Sequence, residues 1–207
     1  MIDTAAGLRA ALLAGGLALV PTDTVYGLAA ALDSPEGVAA LYSLKGRPRS
    51  QPCQVLLFAA ALLAEALAAL DPRTRAAAGA LLPGPATCLV HDPSGRYAAA
   101  AGDAPGAAGI RAPRVGGAVA GLDIALVATS ANDPGGPDPA TLAEVPSRLR
   151  DAAAMMDAGR LPGIASAVVD LRPVARGGPA ALVRPGADPG ALEAALAAAG
   201  VGLIRPS

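Results

Sequence analysis

An apolar strand that runs directly into a polar turn is the most informative local pattern in this chain: Leu17-Ala18-Leu19-Val20-Pro21-Thr22-Asp23-Thr24-Val25-Tyr26-Gly27. The four residues from Leu17 to Val20 have the length and composition of a short buried strand, and Pro21 ends it because proline cannot donate to a strand ladder. Hydroxyl and carboxyl side chains follow at once. They are typical of a turn capped by its own side chains, and equally of a ligand site at a strand end.

Helix signals flank this strand on both sides. The spacing of Leu8, Leu12 and Leu13 predicts a helix over residues 3–14, capped by Asp3 or Thr4 and ended by two glycines. A second helix is predicted from the Ser34 cap to about Leu44, with Pro35 in its first turn. Further strands are predicted at 54–58, 86–91, 109–111, 124–128, 165–171 and 179–184, and further helices at 59–70, 72–82, part of 139–149 and 188–199, with a helix or turn at 115–121. Helices and strands intermingle without a repeat or linker, so the pattern predicts one α/β domain on a twisted sheet.

The composition excludes several classes of function. Hydrophobic residues make up 53% of the 207 residues, which is enough for a core, whereas aromatic residues make up only 2%. The net charge of −1 gives no general attraction to nucleic acid, and so few aromatic rings cannot build base-stacking platforms, so direct binding of nucleic acid is expected to be weak at most. The N-terminus lacks a signal-peptide pattern, and uncharged runs stay below the ~18 residues of a membrane helix. We therefore expect a cytoplasmic protein with no membrane contact.

Common catalytic signatures are missing as well. The only lysine, Lys45, follows Leu44, so no Walker-type G-K-[ST] loop exists. No G-x-G-x-x-G follows a predicted strand, and no serine has the spacing of a nucleophile elbow. The single histidine, His91, ends a predicted strand and is interpreted as structural, and Cys53 and Cys88 are not spaced as zinc ligands. The sequence predicts no metal site built from protein side chains.

Clusters of polar residues interrupt the apolar chain, mostly where predicted strands or helices end. The segment Lys45–Arg49 holds three cations, which would suit either the C-terminus of a helix or a clamp for phosphate oxygens. The segment Thr129–Asn132 closes an apolar strand, where open α/β sheets usually bind ligands, although a simple turn would also explain it. The remaining clusters lie at 21–27, 83–87, 109–114, 166 and 184–186. None of them is specific alone, but their order and spacing are specific together.

In that order the chain reads P-T-D-T-V-Y-G-L, L-K-G-R-P, P-G-P-A-T, G-I-R-A-P, T-S-A-N, S-A-V-V-D and V-R-P-G. This set resembles the threonylcarbamoyl-AMP synthase family, also called YrdC-like, over essentially the whole chain. The resemblance implies a single α/β domain over residues 1–207, with an open, twisted, mixed sheet flanked by helices around a concave, positively lined cleft. It also implies the condensation of L-threonine, bicarbonate and ATP to threonylcarbamoyl-AMP and pyrophosphate. Downstream transferase machinery would pass the threonylcarbamoyl group to tRNA.

The same resemblance implies roles for individual residues. Lys45 and Arg47 would hold the triphosphate as the catalytic cations. Nucleotide binding would also involve Ser130, Asn132 and Arg184. Thr24, Arg111 and Ser166 would bind threonine, with Arg111 paired to its carboxylate. Mg²⁺ is expected to accompany ATP, held mostly by phosphate oxygens.

The chain departs from the family pattern at several positions. Ala167 replaces a threonine and Gln51 replaces an asparagine. The stretch Cys53–Leu56 lacks the Pro-Leu pair with which the family's stretch begins, and it lacks the polar residue that often follows that pair. Pro134 and Asp138 stand where serines are common. From Ala167 and Leu56 we predict a threonine pocket with fewer hydrogen-bond partners, and therefore weaker discrimination of threonine from serine or valine.

Two other functions remain open from the residues. One is a YrdC-like paralogue that binds nucleotide or RNA without synthase activity. The other is the carbamoyl-adenylate chemistry of multidomain hydrogenase-maturation and carbamoyltransferase relatives, whose additional domains and zinc fingers this sequence does not contain. Pyrophosphate release from ATP and bicarbonate separates the three functions. The synthase would require threonine, carbamoyl-adenylate chemistry would require carbamoyl phosphate, and the paralogue would not release pyrophosphate with either.

Overall fold

The computed structural model describes residues 1–205 and contains one large sheet flanked by helices. Its strands are β1 (Leu17–Val20), β2 (Gly27–Ala31), β3 (Gln54–Leu56), β4 (Ala86–His91), β5 (Ala107–Arg111), β6 (Leu126–Ser130), β7 (Ala153–Met155), β8 (Ala167–Asp170), β9 (Ala180–Arg184) and β10 (Leu203–Ile204). Its α-helices are α1 (Ala5–Leu13), α2 (Pro35–Lys45), α3 (Ala60–Ala68), α4 (Pro72–Leu81), α5 (Ser147–Asp151) and α6 (Pro189–Ala198). Short 3₁₀ helices span Ala98–Ala100, Ala118–Gly121, Leu142–Glu144 and Arg172–Arg176.

The ten strands form one sheet in the order β10-β9-β8-β4-β5-β3-β6-β2-β1-β7. Parallel pairs, such as β3 with β5, and antiparallel pairs, such as β3 with β6, occur in the same sheet. The expected open mixed sheet with flanking helices is therefore confirmed. Residues 206 and 207, which the predicted domain included, lie outside the described residues.

The two faces of the sheet are covered unequally. One face packs against α2, α3, α4, α5 and α6 in the larger apolar cluster, which contains Val55, Ile110, Val127 and Val169. On the other face, α1 contributes Leu8 and Leu12 to a smaller cluster that covers only part of the sheet. The uncovered part of that second face forms the floor of a cleft.

Caps at both ends define α2 and the point where the basic segment leaves it. The Ser34 hydroxyl accepts a hydrogen bond from the Gly37 amide at 3.1 Å, and Pro35 occupies the first turn. The helix ends at Gly46, whose φ of 57° is the left-handed conformation that favours glycine. Lys45 therefore lies in the last helical turn, and Arg47 begins the loop that leads to β3.

Most predicted elements are confirmed to within a few residues, and three strands were missed. The sequence of β2, Gly-Leu-Ala-Ala-Ala, is buried along its whole length and has neither alternation nor β-branched residues. The strands β7 and β10 are edge strands of two or three residues, too short to show a period. The strand predicted at 124–128 is shifted to Leu126–Ser130, because Thr129 and Ser130 continue the ladder with β2. No helix within residues 1–205 is long and apolar enough to cross a membrane.

Candidate active site

A cleft of about 330 Å³ lies over the uncovered sheet face. Its floor is formed by residues on seven strands or at their ends, and neighbouring strands lie about 4.8 Å apart. The polar or charged side chains in its wall are Thr22, Arg47, Gln54, Thr87, Arg111, Thr129, Ser130, Asp138, Ser166 and Arg184. Three arginines and one carboxylate belong to this set, so the cleft wall contains more basic than acidic groups.

The turn after β1 is a compact hydrogen-bonded unit. The Thr22 hydroxyl donates to the Val25 carbonyl at 2.7 Å and accepts from the backbone amides of Thr24 and Val25, both at 3.2 Å. The Thr22 and Thr24 hydroxyl oxygens are 3.0 Å apart. Both threonines are almost fully buried, so these bonds satisfy polar groups that water cannot reach.

Arg111, at the end of β5, is bound to this turn. Its Nη2 donates to Asp23 Oδ1 at 2.7 Å, to Thr22 Oγ1 at 3.1 Å and to Thr24 Oγ1. The other carboxylate oxygen of Asp23 accepts from the Arg114 amide at 2.9 Å, which ties the turn to the segment after β5. Only 2% of Arg111 is exposed, and its Nε has no partner among the described residues. Burial lowers the pKa of Arg111, and the Asp23 carboxylate opposes that shift.

This ion pair changes the expected geometry of carboxylate binding. One terminal nitrogen of Arg111 is already held by Asp23 and the two threonines. A symmetrical two-nitrogen contact with a substrate carboxylate would have to share that nitrogen. Arg111 is therefore a fixed cation in the cleft floor rather than a free fork.

Lys45 is buried beneath the cleft and holds the loop that follows β6. Its ammonium donates to the Ser130 carbonyl at 3.0 Å, to Asn132 Oδ1 at 3.1 Å and to the Asn132 carbonyl. The Ser130 hydroxyl donates to the same Asn132 Oδ1 at 2.8 Å. Only 4% of Lys45 is exposed, and Ser130 and Arg47, not Lys45, form the cleft wall at this end.

The surroundings of Lys45 disfavour its charged form. Burial lowers the pKa of Lys45 from its ordinary value of 10.5 to about 8, and the positive charges of Arg148 and Arg47 act in the same direction. Asp133 opposes the shift. Above about pH 8 the neutral fraction of Lys45 therefore rises, whereas an exposed lysine stays charged to about pH 10.4.

Because the chain has only one lysine, this titration can be observed without ambiguity. In protein labelled with ¹³C-lysine, we expect the single Cε resonance to titrate with a midpoint near pH 8 in the native state. The same resonance in denaturant should titrate near the ordinary value of about 10.4. A native midpoint at that ordinary value would contradict the burial of the ammonium.

A second hydrogen-bonded chain crosses the floor from β9 to β3. Arg184 donates from Nε to the Ser166 carbonyl at 2.8 Å and from Nη2 to the Ser166 hydroxyl at 3.2 Å. The hydroxyls of Ser166 and Thr87 are 3.1 Å apart, and Thr87 donates to Gln54 Oε1 at 3.1 Å. Four polar side chains from separate segments of the chain are therefore linked in one row.

The residues predicted from the sequence converge on this cleft. Arg47, Arg111, Ser130, Ser166 and Arg184 line it. Thr24, Lys45 and Asn132 lie directly behind the wall and are hydrogen-bonded to residues that line it. The ligand that each of them binds stays a prediction.

Four polar partners in the cleft were not among the predicted residues. Thr22 and Asp23 lie in the quoted turn, where their presence beside Thr24 was the only available signal. Thr87 lies in the polar cluster at 83–87, to which the sequence assigned no role, and Gln54 lies in the stretch Cys53–Leu56 that departs from the family pattern. Their roles depend on pairings between distant segments that a single sequence does not reveal.

The expectation that Ala167 lines the ligand pocket is wrong. Successive residues of a strand point to opposite faces, and Ser166 and Val168 face the cleft whereas Ala167 belongs to the larger apolar cluster on the other face. Leu56 is fully buried in the smaller cluster with α1, and Gln51 is exposed outside the cleft wall. These departures therefore do not remove hydrogen-bond partners from the cleft.

Ala167→Thr should reduce stability without changing ligand preference. Ala167 packs closely against Gly186, because a Cβ built on Gly186 would lie only 3.0 Å from the Ala167 Cβ. The extra atoms of a threonine at position 167 would therefore enter a filled space. Overpacking of this kind costs about 1–3 kcal/mol, which denaturant unfolding would measure. Val168→Thr is the matched control, because it places the same hydroxyl on the cleft face. An Ala167→Thr protein as stable as wild type would contradict this packing.

The fold and the cleft define the protein's class: an α/β protein with a cleft lined by arginines, hydroxyls and the Gln54 amide. The family model Sua5/YciO/YrdC, described as telomere recombination, matches residues 10–186. The chain therefore belongs to the Sua5/YciO/YrdC family, which confirms the resemblance seen in its motifs.

Individual relatives agree with this assignment. A Mycobacterium tuberculosis protein provisionally named threonylcarbamoyl-AMP synthase is 34% identical over 153 residues, which cover 72% of this chain and 70% of the relative. The crystal structure of P. abyssi Sua5 complexed with L-threonine matches with a TM-score of 0.72 and 28% identity, covering 86% of this chain. This chain spans only about half, 52%, of that Sua5 chain. E. coli YciO has the same fold, with a TM-score of 0.74 and 17% identity over 91% of this chain and 92% of its own.

Proposed function

We propose that this protein is an L-threonylcarbamoyladenylate synthase, a nucleotidyltransferase that condenses L-threonine, bicarbonate and ATP to threonylcarbamoyl-AMP and pyrophosphate. The observation that supports this proposal most directly is that one cleft has two polar ends, one around Arg111 and the other around Ser130. Arg111 on β5 and Ser130 on β6 are separated only by β3. An amino acid and a nucleotide bound at these ends would have their reacting groups side by side.

The amino-acid end contains Arg111, Thr24 and Ser166. The Arg111 cation, fixed by Asp23, would attract the threonine carboxylate, and the hydroxyls would orient the ligand. The complex of P. abyssi Sua5 with L-threonine supports an amino-acid ligand of this kind. Because Arg111 is already in place, its contact with the ligand needs little reorganisation.

The nucleotide end contains Arg47, Ser130 and Asn132, supported by Lys45 from below. Arg47 donates to the Pro52 carbonyl at 2.6 Å, which holds its guanidinium at the rim. Arg184 lies on β9 beyond Ser166, five strands from Ser130 on β6, so it would contact the nucleotide only if that ligand extended across the cleft. In this arrangement Lys45 acts through the Ser130–Asn132 loop, because all three of its donors are used there.

The proposed chemistry requires positioning more than a protein base. The threonine amine attacks the carbon of bicarbonate and water leaves, which gives an anionic carbamate. A carbamate oxygen then forms a bond to the α-phosphorus of ATP, and the bond from that phosphorus to the pyrophosphate oxygen breaks. The nucleophile is already an anion, so arginines that neutralise charge and fixed donors that align the groups suffice. The cleft wall contains such groups and no histidine.

The donor set of the cleft fits a magnesium ion that arrives with ATP. Within residues 1–205 no three acidic, histidine or cysteine side chains cluster as a metal site. One carboxylate, Asp138, lines the cleft near Asn132, whose Nδ2 is 3.5 Å from Asp138 Oδ1. Mg²⁺ is usually held by one or two carboxylates together with waters and substrate phosphates. The phosphates would therefore hold it mainly, as the sequence predicted, and Asp138 is the carboxylate in the wall that would join them. The bound ion would neutralise charge on the phosphates.

The product would be consumed by a transferase that acts on tRNA. An acyl group activated as a mixed anhydride with AMP is a donor for transfer to an amine, and modification of tRNA is the use implied by the family resemblance. The small net charge of this chain, −1, is consistent with a protein that releases its product to such a partner instead of binding tRNA strongly itself. A cytoplasmic location stays a prediction.

Pyrophosphate release with single omissions tests this function. We expect release only when ATP, Mg²⁺, bicarbonate and L-threonine are all present. Release that requires carbamoyl phosphate in place of threonine and bicarbonate would indicate carbamoyl-adenylate chemistry. ATP binding without release under any condition would indicate a paralogue without synthase activity, and either result would overturn the proposal.

A further inference from the structure

Gln54 lies midway between the two ends of the cleft. On β3 it stands opposite Gly109 of β5 on one side and opposite Ala128 of β6 on the other. Arg111 is two residues beyond Gly109 and Ser130 is two residues beyond Ala128. Because β5 runs parallel and β6 antiparallel to β3, these two residues lie in opposite directions along β3. Gln54 is therefore the midpoint of the diagonal that joins the amino-acid end to the nucleotide end.

A missing side chain lets Gln54 reach across β5. Thr87 lies on β4, two strands from Gln54, yet its hydroxyl is 3.1 Å from Gln54 Oε1. The strand between them carries Gly109, where a Cβ would lie 3.4 Å from Thr87 Cγ2 and 3.3 Å from Leu89 Cδ2. Because Gly109 has no Cβ, the Thr87 and Leu89 side chains can lie close over it, and the Thr87 hydroxyl comes within reach of Gln54 Oε1.

The Gln54 amide faces the row with its oxygen, Oε1, and this placement sets the direction of the hydrogen bonds. Arg184 can only donate, so the Ser166 hydroxyl accepts from it, and the Thr87 hydroxyl donates to Gln54. The Ser166 hydroxyl is then left to donate to Thr87. All the donors point the same way, from a cation towards Gln54 Oε1, and such a chain strengthens each of its bonds.

The amide nitrogen of Gln54 takes no part in this row of hydrogen bonds and is available to a ligand. Within residues 1–205, Nε2 of Gln54 has no hydrogen-bond partner, and the half-buried side chain lines the cleft. Two N–H donors are thereby held at the midpoint, between the Arg111 cation and the Ser130 hydroxyl. A neutral donor suits an anionic nucleophile, because it orients an oxygen without neutralising the charge that must attack.

We propose that Gln54 binds the carboxyl group that becomes the carbamate, by donating from Nε2 to an oxygen of bicarbonate and then of the carbamate. This inference rests on the proposed function, because only that reaction requires a planar carboxyl group between an amino acid and a nucleotide. Thr87 is the positioning residue for this contact. Gly109 provides the space that the contact needs.

The kinetic test uses Gln54→Leu, which keeps the size of the side chain and removes its donors. A hydrogen bond to a charged group is worth about 1.5–3 kcal/mol, so the KM for bicarbonate should rise about 10- to 100-fold. The KM values for threonine and ATP should stay within about twofold. Gln54→Glu replaces the donors by a second carboxylate, so it should raise the KM for bicarbonate further.

Gln51→Leu is the matched control, since it is the same substitution three residues away on an exposed side chain outside the cleft. It should leave all three KM values unchanged. A Gln54→Leu enzyme with a normal bicarbonate KM would overturn the inference. An equal rise in the threonine KM would also overturn it, because Gln54 would then bind the amino acid.

A binding measurement keeps this test independent of turnover. In ¹⁵N-labelled protein, the side-chain NH₂ resonances of Gln54 can be assigned by their loss in Gln54→Leu. Addition of bicarbonate should shift them, whereas chloride at the same ionic strength should not. If the wild-type protein releases no pyrophosphate, the proposed function fails, and these resonances still decide whether Gln54 binds bicarbonate: a shift supports the site and no shift overturns it.

Discussion

Lys45→Ala is expected to lower pyrophosphate release by at least about 100-fold, which corresponds to about 2.7 kcal/mol of lost transition-state stabilisation. The Lys45 ammonium holds the Ser130 and Asn132 carbonyls and the Asn132 side chain. Without it, the loop that would contact the phosphates loses its buried cationic anchor and keeps only the exposed ion pair of Arg148 with Asp133. Steady-state rates at saturating threonine and bicarbonate would measure the effect.

The same substitution should also destabilise the fold. A buried polar group left without a partner costs about 1–3 kcal/mol, more than the about 0.3–1 kcal/mol that a cation contributes at a helix C-terminus. Arg49→Ala is the matched control, because Arg49 belongs to the same basic segment but is exposed and stacks over Tyr42 at 4.8 Å, outside the cleft wall. Arg49→Ala should retain near wild-type activity. Comparable activity in Lys45→Ala would contradict a role of Lys45 in the site.

Arg111→Lys is expected to weaken threonine binding about 10- to 100-fold and to weaken ATP binding less. Lysine keeps the positive charge beside Asp23 but cannot reproduce the planar guanidinium that also contacts Thr22 and Thr24. Leucine or alanine would be less informative here, since breaking a buried ion pair costs about 3–5 kcal/mol in stability. Isothermal titration calorimetry with threonine and with a non-hydrolysable ATP analogue gives both affinities.

Arg114→Lys controls for a change of arginine to lysine near the same turn. The Arg114 side chain donates to the Pro83 carbonyl at 2.9 Å and does not line the cleft. The affinities of the Arg114→Lys protein for threonine and for the ATP analogue should match those of the wild type. Equal losses for both ligands in Arg111→Lys would place Arg111 at the nucleotide end.

Local patterns predicted the elements that surround the site. The apolar run from Leu17 to Val20 and the break at Pro21 defined β1 and the turn, and the Ser34–Pro35 cap defined α2. These signals lie within a few neighbouring residues, where propensity and capping act directly. The order of the polar motifs also indicated which side chains would meet, because the family resemblance carries a three-dimensional arrangement.

Non-local pairings could not be predicted in the same way. The faces of Ala167 and Gln54 depend on strand register, and a shift of one residue exchanges the core face for the cleft face. Asp23 meets Arg111 across 88 positions of sequence, and nothing near either residue indicates the other. The strand β2 was missed because its alanines have little strand propensity and are held in the sheet by β1 and β6.

One measurement tests the proposed synthase activity most directly. The protein is incubated with ATP, Mg²⁺, L-threonine and ¹³C-bicarbonate, and the nucleotide products are analysed by mass spectrometry. We expect an AMP conjugate that contains threonine and carries the ¹³C label, formed together with pyrophosphate. AMP or ADP without a labelled conjugate, or a conjugate of threonine with AMP that lacks the label, would contradict the proposed condensation.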